Sequence, residues 1–229
     1  MPVSLPYRDR FEAGRQLAGD LLLFANRPDV IVLALPRGGV PVGYEVARAL
    51  HAPLDVFLVR KLGVPGHEEL AMGAIASGDI VVLNRDVIDM LHIPRQEIDA
   101  VIARERQELT RRDHEYRDDR PPPQVHGMIP ILVDDGLATG STMLAAVRAL
   151  HQEQPAQIVV AVPVASREAV ELLRGEGATV VCLATPEPFY GVGWWYQDFA
   201  QTTDAEVRDL LARANQPPHP AGAGPGVSV

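Results

Sequence analysis

The chain has 229 residues, 47% of them hydrophobic, and a formal net charge of −9. That length and apolar share suit one buried α/β core, or one core with a small appendage, while the acidic balance and the lack of any basic run exclude the electrostatic footprint of a nucleic-acid binder. No apolar stretch approaches the ~20 residues of a membrane span, and Met1 to Phe11 carries charges where a signal peptide is apolar, so the expectation is a cytoplasmic protein without membrane or nucleic-acid partners.

Residues Tyr7 to Ala25 place Phe11, Gly14, Ala18, Leu21 and Leu22 at helical spacing, an opening helix packed on a sheet. Val30 to Leu35 is an apolar run suited to a central strand, and it ends in Pro36-Arg37-Gly38-Gly39-Val40-Pro41. Gly38 and Gly39 can take dihedrals closed to other residues and bring amides close to an anion, and Arg37 adds a permanent charge. The competing reading is a plain Gly-Gly turn before a helix from Val42 to Leu50. Leu54 to Val59 is the next predicted strand, followed by Arg60-Lys61-Leu62-Gly63-Val64-Pro65-Gly66-His67-Glu68-Glu69. Lys61 is the only lysine in a chain whose other cations are arginines. The glycine and proline spacing suits a lid.

Ala74 to Ala76 and Ile80 to Leu83, around Ser77-Gly78-Asp79, read as a β-hairpin, the one antiparallel feature expected. Asp86 to Asp119 turns helical, with a break at Pro94 and an apolar stripe of Ile98, Val101, Ile102 and Leu109. Its charged end, Arg111 to Asp119, reads as a fraying, solvated face, with an oligomer contact as the minority reading. Arg120-Pro121-Pro122-Pro123 then forms a stiff connector.

The most informative stretch runs from Met128 to Arg148. Ile129 to Val133 is a short, β-branched run fit for a buried parallel strand, and it stops at two carboxylates, Asp134 and Asp135. Ligands bind at that edge of an open α/β sheet. Ala138-Thr139-Gly140-Ser141-Thr142 then leads into a helix, offering free amides, hydroxyls and the positive end of a helix dipole to a phosphate. Acids beside an anion cradle suit a sugar phosphate. No Gly-x-x-x-x-Gly-Lys-Ser/Thr and no Gly-x-Gly-x-x-Gly is present. Taken singly, the acids read equally well as a solvated turn and the loop as an ordinary N-cap.

Beyond this helix come a strand from Ile158 to Val162, a helix capped by Ser166 and ending near Arg174, and a strand from Thr179 to Leu183. Cys182, the single cysteine, reads as a small core residue, and seven scattered histidines give no structural zinc site. Any metal should arrive with the substrate. Pro186 to Thr203 is rich in aromatics, and Thr203-x-x-Glu206 is a capping box for a last helix.

These motifs resemble those of the type I phosphoribosyltransferases, over roughly Val30 to Leu183, and Val59 to Gly66 is similar to the Arg-Lys-x-Gly-x-x-Pro-Gly stretch that opens the catalytic loop of the adenine-type members. The resemblance implies that Asp134 and Asp135 hold the ribose hydroxyls and, directly or through water, Mg²⁺, and that Ala138, Thr139, Gly140, Ser141 and Thr142 hold the 5′-phosphate. It implies a pyrophosphate site at Arg37, Gly38 and Gly39, in a loop that often contains a cis peptide, with Arg60 and Lys61 contributing. Adenine-type members share the alanine found at Ala138 and use a lid glutamate for the proton, so Glu68 and Glu69 join Arg60 and Lys61 as catalytic candidates, with His67 as a stand-in. Ordinary solvated lid glutamates are an equal alternative. Tyr190, Trp194, Trp195 and Tyr196 are expected to form the acceptor pocket in a flap, or else to anchor the last helix.

The expected fold is α/β, a mostly parallel twisted sheet flanked by helices, with a β-hairpin and flexible loop and an aromatic C-terminal flap. Residues 1–215 are expected to form one domain and 216–229 a disordered Pro/Gly-rich tail. The expected function is Mg²⁺-dependent transfer of a phosphoribosyl group from phosphoribosyl pyrophosphate to a nucleobase or related acceptor, within nucleotide metabolism. The acceptor and a homodimer are left open. A regulator that keeps the fold to bind phosphoribosyl pyrophosphate or a nucleotide is the alternative, and an Asp-x-Asp phosphatase lacks the required spacing.

Overall fold

The computed structural model describes residues 5–117 and 120–215. Asp9 opens helix α1 (Arg10–Asp20) by accepting Glu12 N at 2.7 Å, and a turn of 3₁₀ helix at Leu22–Phe24 follows. Strand β1 (Val30–Ala34), helix α2 (Gly39–Leu50) and the short strand β2 (Leu54–Val56) make the first β-α-β unit. Strands β3 (Val59–Val64), β4 (His67–Ala76) and β5 (Ile80–Leu83) come next, then helices α3 (Arg85–Met90) and α4 (Arg95–Arg117). The second half alternates strictly: β6 (Ile129–Val133), α5 (Ser141–Gln152), β7 (Val159–Val164), α6 (Arg167–Gly175), β8 (Thr179–Ala184) and, after a 3₁₀ turn at Val192–Trp195, α7 (Asp204–Ala214).

The main sheet is parallel throughout, in the order β2-β1-β6-β7-β8. Strands β1, β6 and β7 are buried along their whole length, which is why their sequences are continuous apolar runs. Alternate residues feed two cores. Val30, Val32 and Ala34 pack toward α1, α2 and α7 through Leu17, Val42, Val46 and Leu210; Ile31 and Leu33 pack toward α5 through Met143, Val147 and Leu150. Each of the valine, leucine, isoleucine and methionine side chains contributes roughly 1.5–3 kcal/mol by leaving water, so the strand ends stand on a fixed platform. Ala34 pairs with Val133 and Val133 with Ala161, which brings the loops after β1, β6 and β7 to one edge.

The region after β2 departs from expectation. The predicted strand from Leu54 to Val59 breaks after Val56, because Leu58 turns to Ser77, donating to Ser77 Oγ at 3.1 Å and accepting Ser77 N at 2.9 Å. The expected lid residues 60–69 are mostly strand: β3, β4 and β5 form a separate antiparallel sheet that turns at Pro65-Gly66. Leu62, Val64 and Met72 are buried there with Ile98, Val101 and Ile102 of α4. The hairpin between Ala76 and Ile80 is present, with positive φ at Gly78 and Asp79, but it is one of two antiparallel pairings.

Helix α4 does not fray at Arg111. It runs to Arg117, whose fully buried side chain bonds Asp55 Oδ1 at 3.0 Å, Asp113 and the Val56 carbonyl. On the same end strand, the Leu54 carbonyl accepts from Asn215 Nδ2 at 3.3 Å. Asp118, Asp119 and the expected tail at 216–229 lie outside the described residues. Cys182 is half-buried in β8, its thiol pushed up to about 11 by burial. Among the described residues, no helix is long and apolar enough to cross a membrane.

Candidate functional site

Strand β6 delivers Asp134 and Asp135 to the sheet edge as expected, and Asp134 Oδ1 accepts Asp135 N at 2.9 Å. Both carboxyls are held above the usual aspartate range. Burial is the main cause for each; the neighbouring Asp135 charge adds to it for Asp134, and Arg10 opposes it for both. Arg10, which belongs to none of the motifs above, donates from Nε to Asp135 Oδ2 at 2.8 Å, with side chains only 11% and 14% exposed. Its guanidinium lies over the Phe199 ring at 4.0 Å and also donates to the Ala200 carbonyl at 2.7 Å. Tyr196 donates its hydroxyl to the Asp135 carbonyl at 2.6 Å. Burial, with Asp135 second, raises that hydroxyl far above the usual tyrosine range, so it stays a donor.

The loop after β1 presses against these acids. Its Pro36–Arg37 peptide is cis. Gly38 has ordinary right-handed helical angles, φ −61° and ψ −32°, so the expected dihedral reason for glycine fails there. Close approach replaces it: a Cβ on Gly38 would lie 2.0 Å from Asp135 Oδ2, and one on Gly39 2.6 Å from the Val133 carbonyl. Gly39 N bonds Leu35 O at 3.0 Å, so that amide is committed within the loop. Arg37 reaches Asp204 Oδ2 at 3.7 Å. Arg10, Arg37, Gly38 and Asp135 share a cavity of about 470 Å³ with Arg111, Arg112 and Tyr116 of α4. Those α4 arginines are solvated as expected, with side chains 59% and 39% exposed, and the fold sets them at the rim of this cavity, a placement invisible in the sequence.

The loop after β6 is tied down from behind. Leu137 N bonds Val164 O at 3.0 Å, Ser166 Oγ donates to Ala138 O at 2.6 Å, and Gly140 has φ +71°, a conformation that suits glycine. Thr139 Oγ1 and Ser141 Oγ sit 3.2 Å apart on the exposed side, at the start of α5 with Thr142. Ala138 and Thr139 form one wall of a cavity of about 670 Å³ whose other walls are Ser166, Arg167 and Thr185 to Gly191.

The four aromatics singled out from the sequence separate. Tyr190 lines that cavity and is 68% exposed; Trp194 lies against it, ring centres 5.6 Å apart. Trp195 packs beside Phe189 at 6.3 Å, its Nε1 buried without a partner among the described residues, while Tyr196 is buried against Tyr7 at 5.5 Å.

The ribbon cations also separate. Arg60 gives Nε and Nη2 to Glu105 Oε2 at 2.9 and 2.7 Å. Burial would raise Glu105, but the bonds from Arg60 and Arg104 outweigh it and hold the carboxyl below its usual range. Arg60 also borders a small cavity of about 30 Å³ with Pro36 and Thr142. Lys61 and Glu69 line a different cavity, of about 330 Å³, with Ser141 and Arg148 of α5. His67 and Glu68 are exposed where β4 begins. Among the described residues, no cluster of three or more His, Cys, Asp or Glu could hold a metal.

A chain carrying this arrangement has known relatives. The sequence profile of the phosphoribosyl transferase domain matches residues 7–182. Two Mycobacterium tuberculosis sequences, provisionally named phosphoribosyl transferases, are 45% identical over 217 residues, 95% of this chain. This chain spans about half the length of those relatives, 49%. The crystal structure of the Thermus thermophilus protein TT1426 is similar with a TM-score of 0.83 at 44% identity, covering 91% of this chain and 99% of that one. The chain belongs to the phosphoribosyl transferase domain family.

Proposed function

We propose that the protein transfers a phosphoribosyl group from phosphoribosyl pyrophosphate to a nucleobase or related flat heterocycle, with Mg²⁺. The observation that carries this reading is the convergence of the Pro36–Gly38 loop, the Asp134-Asp135 pair and the Ala138–Thr142 loop at the ends of adjacent parallel strands. A ligand with a pyrophosphate, a ribose diol and a 5′-phosphate makes those three demands on neighbouring loops. In this reading Thr139, Ser141 and Thr142, with the amides of Ala138 to Thr142, hold the 5′-phosphate. Asp134 and Asp135 accept the ribose hydroxyls. Arg37, Gly38 and Gly39 meet the pyrophosphate, and Arg60 and Lys61 join them by turning from Glu105 and from the cavity beside α5 when the ligand binds.

The acid pair fits Mg²⁺, since two partly buried carboxylates face a single guanidinium and supply hard oxygen donors. The substrate would complete the coordination. Mg²⁺ held by Asp134 and Asp135 would supply positive charge to offset that of the departing pyrophosphate. An acceptor nitrogen attacks the anomeric carbon, the bond from that carbon to the pyrophosphate oxygen breaks, and the acceptor's proton passes to Glu68 or Glu69. Arg37 stabilises the negative charge that leaves. The acceptor occupies the cavity of about 670 Å³ beside Thr139, with Tyr190 as the ring on which it stacks, Trp194 behind it, and Trp195 and Tyr196 holding the segment in place. A cytoplasmic role in nucleotide metabolism belongs to the same reading.

The test is incubation with phosphoribosyl pyrophosphate, Mg²⁺ and a panel of purine and pyrimidine bases, measuring pyrophosphate release. The double variant Asp134→Asn with Asp135→Asn is expected to lose both release and Mg²⁺-dependent binding while remaining folded. Binding without release for every base would favour a non-catalytic sensor. Equal affinity in the double variant would refute the site.

A further inference from the structure

We infer that Arg10 is a positioning residue for the ribose-facing acid, holding the Asp135 carboxylate in the one orientation in which it can serve the sugar. This rests on the reading of Asp134 and Asp135 as the ribose acids. Asp135 Oδ2 is gripped from two sides: the Gly38 backbone approaches so closely that a Cβ there would sit 2.0 Å away, and Arg10 Nε donates to it at 2.8 Å. Tyr196 fixes the backbone of the same residue through the Asp135 carbonyl at 2.6 Å. With Oδ2 taken, Oδ1 is the oxygen left for a ribose hydroxyl.

Arg10 is itself held in three ways. One end of the guanidinium serves Asp135, another serves the Ala200 carbonyl at 2.7 Å, and its face lies on Phe199 at 4.0 Å. A planar fork can do all three at once, which an ammonium cannot. The contact therefore links the first turn of α1 and the 199–200 segment to the acid pair, across 125 residues of sequence.

The experiment compares Arg10→Met and Arg10→Lys with the unmodified protein by melting temperature, by calorimetric titration with phosphoribosyl pyrophosphate and Mg²⁺, and by crystal structure. In Arg10→Met the Asp135 carboxylate should leave Gly38 and affinity should fall roughly tenfold or more, the size of one lost charge-assisted hydrogen bond. Arg10→Lys, which keeps the charge and loses the fork, should stay closer to the Met variant than to the unmodified protein. Full recovery in the Lys variant would make Arg10 a mere counter-charge and overturn the inference. A drop in melting temperature with unchanged affinity would overturn it as well, leaving a structural role. If the unmodified protein does not bind phosphoribosyl pyrophosphate, the ribose reading fails, and the orientation of Asp135 in the Met variant still decides: an unmoved carboxylate refutes the role of Arg10, a displaced one supports it.

Discussion

The contact between Gly38 and Asp135 shows how little room the acid pair has. Alanine at position 38 keeps acceptable backbone angles, since φ −61° and ψ −32° are open to any residue. Its methyl group would nevertheless fall 2.0 Å from Asp135 Oδ2, and Arg10 blocks retreat of that oxygen. Gly38→Ala should therefore still fold but lose about 1–3 kcal/mol of stability to the overlap, and lose turnover on the order of 10²-fold, the usual consequence of misplacing a reacting group by about 1 Å. Pyrophosphate-release kinetics beside a thermal melt would check it; an active variant would mean that Asp135 does not face the substrate. The acids were legible in the sequence because carboxylates ending an apolar strand are conspicuous. Arg10 was not, since an arginine in the first turn of an amphipathic helix looks like any solvated cation, and only the fold brings it to residue 135.

The ribbon and α4 form one mechanical unit, joined by the apolar contacts of Leu62 and Val64 with α4 and by the Arg60–Glu105 ion pair. Glu105 titrates below its usual range in the folded protein. A depressed carboxylate stabilises the fold above its unfolded pKa, and that stability is lost as pH falls through the folded value. Glu105→Gln should thus cost about 1–2 kcal/mol near pH 7 by leaving Arg60 with a weaker partner. The difference should shrink as pH drops below the ordinary glutamate range, because the unmodified protein loses the same interaction there. Denaturant midpoints at neutral and acidic pH measure this; a constant gap would place the ion pair outside the stability of the ribbon. The strands of the ribbon are hard to recognise in the sequence. Leu62 and Val64 alternate as a strand should, but they sit among Gly63, Pro65, Gly66 and charged neighbours, and the helix that buries them lies about forty residues further on. The strands β1, β6 and β7 needed no such partner to be recognised: burial on both faces in a parallel sheet leaves an uninterrupted apolar run.

At the scale of the whole molecule, the parallel order β2-β1-β6-β7-β8 explains why three distant loops share one edge, and it also leaves β2 as a terminal strand. That strand's Leu54 and Val56 carbonyls are the ones taken by Asn215 and Arg117. Arg117→Leu would strand Asp55 and Asp113 without their cation, a loss of about 3–5 kcal/mol for a buried ion pair broken on one side. It would also uncover β2. A bare parallel edge invites pairing with the same edge of another copy, so the variant is expected to scatter light on gentle warming, at temperatures where the unmodified protein stays clear. A variant that is destabilised but remains monodisperse would reduce Arg117 to a packing residue. By this prediction the buried arginine at the end of α4 is a guard against self-association, closing by side-chain hydrogen bonds the flank of the sheet at β2.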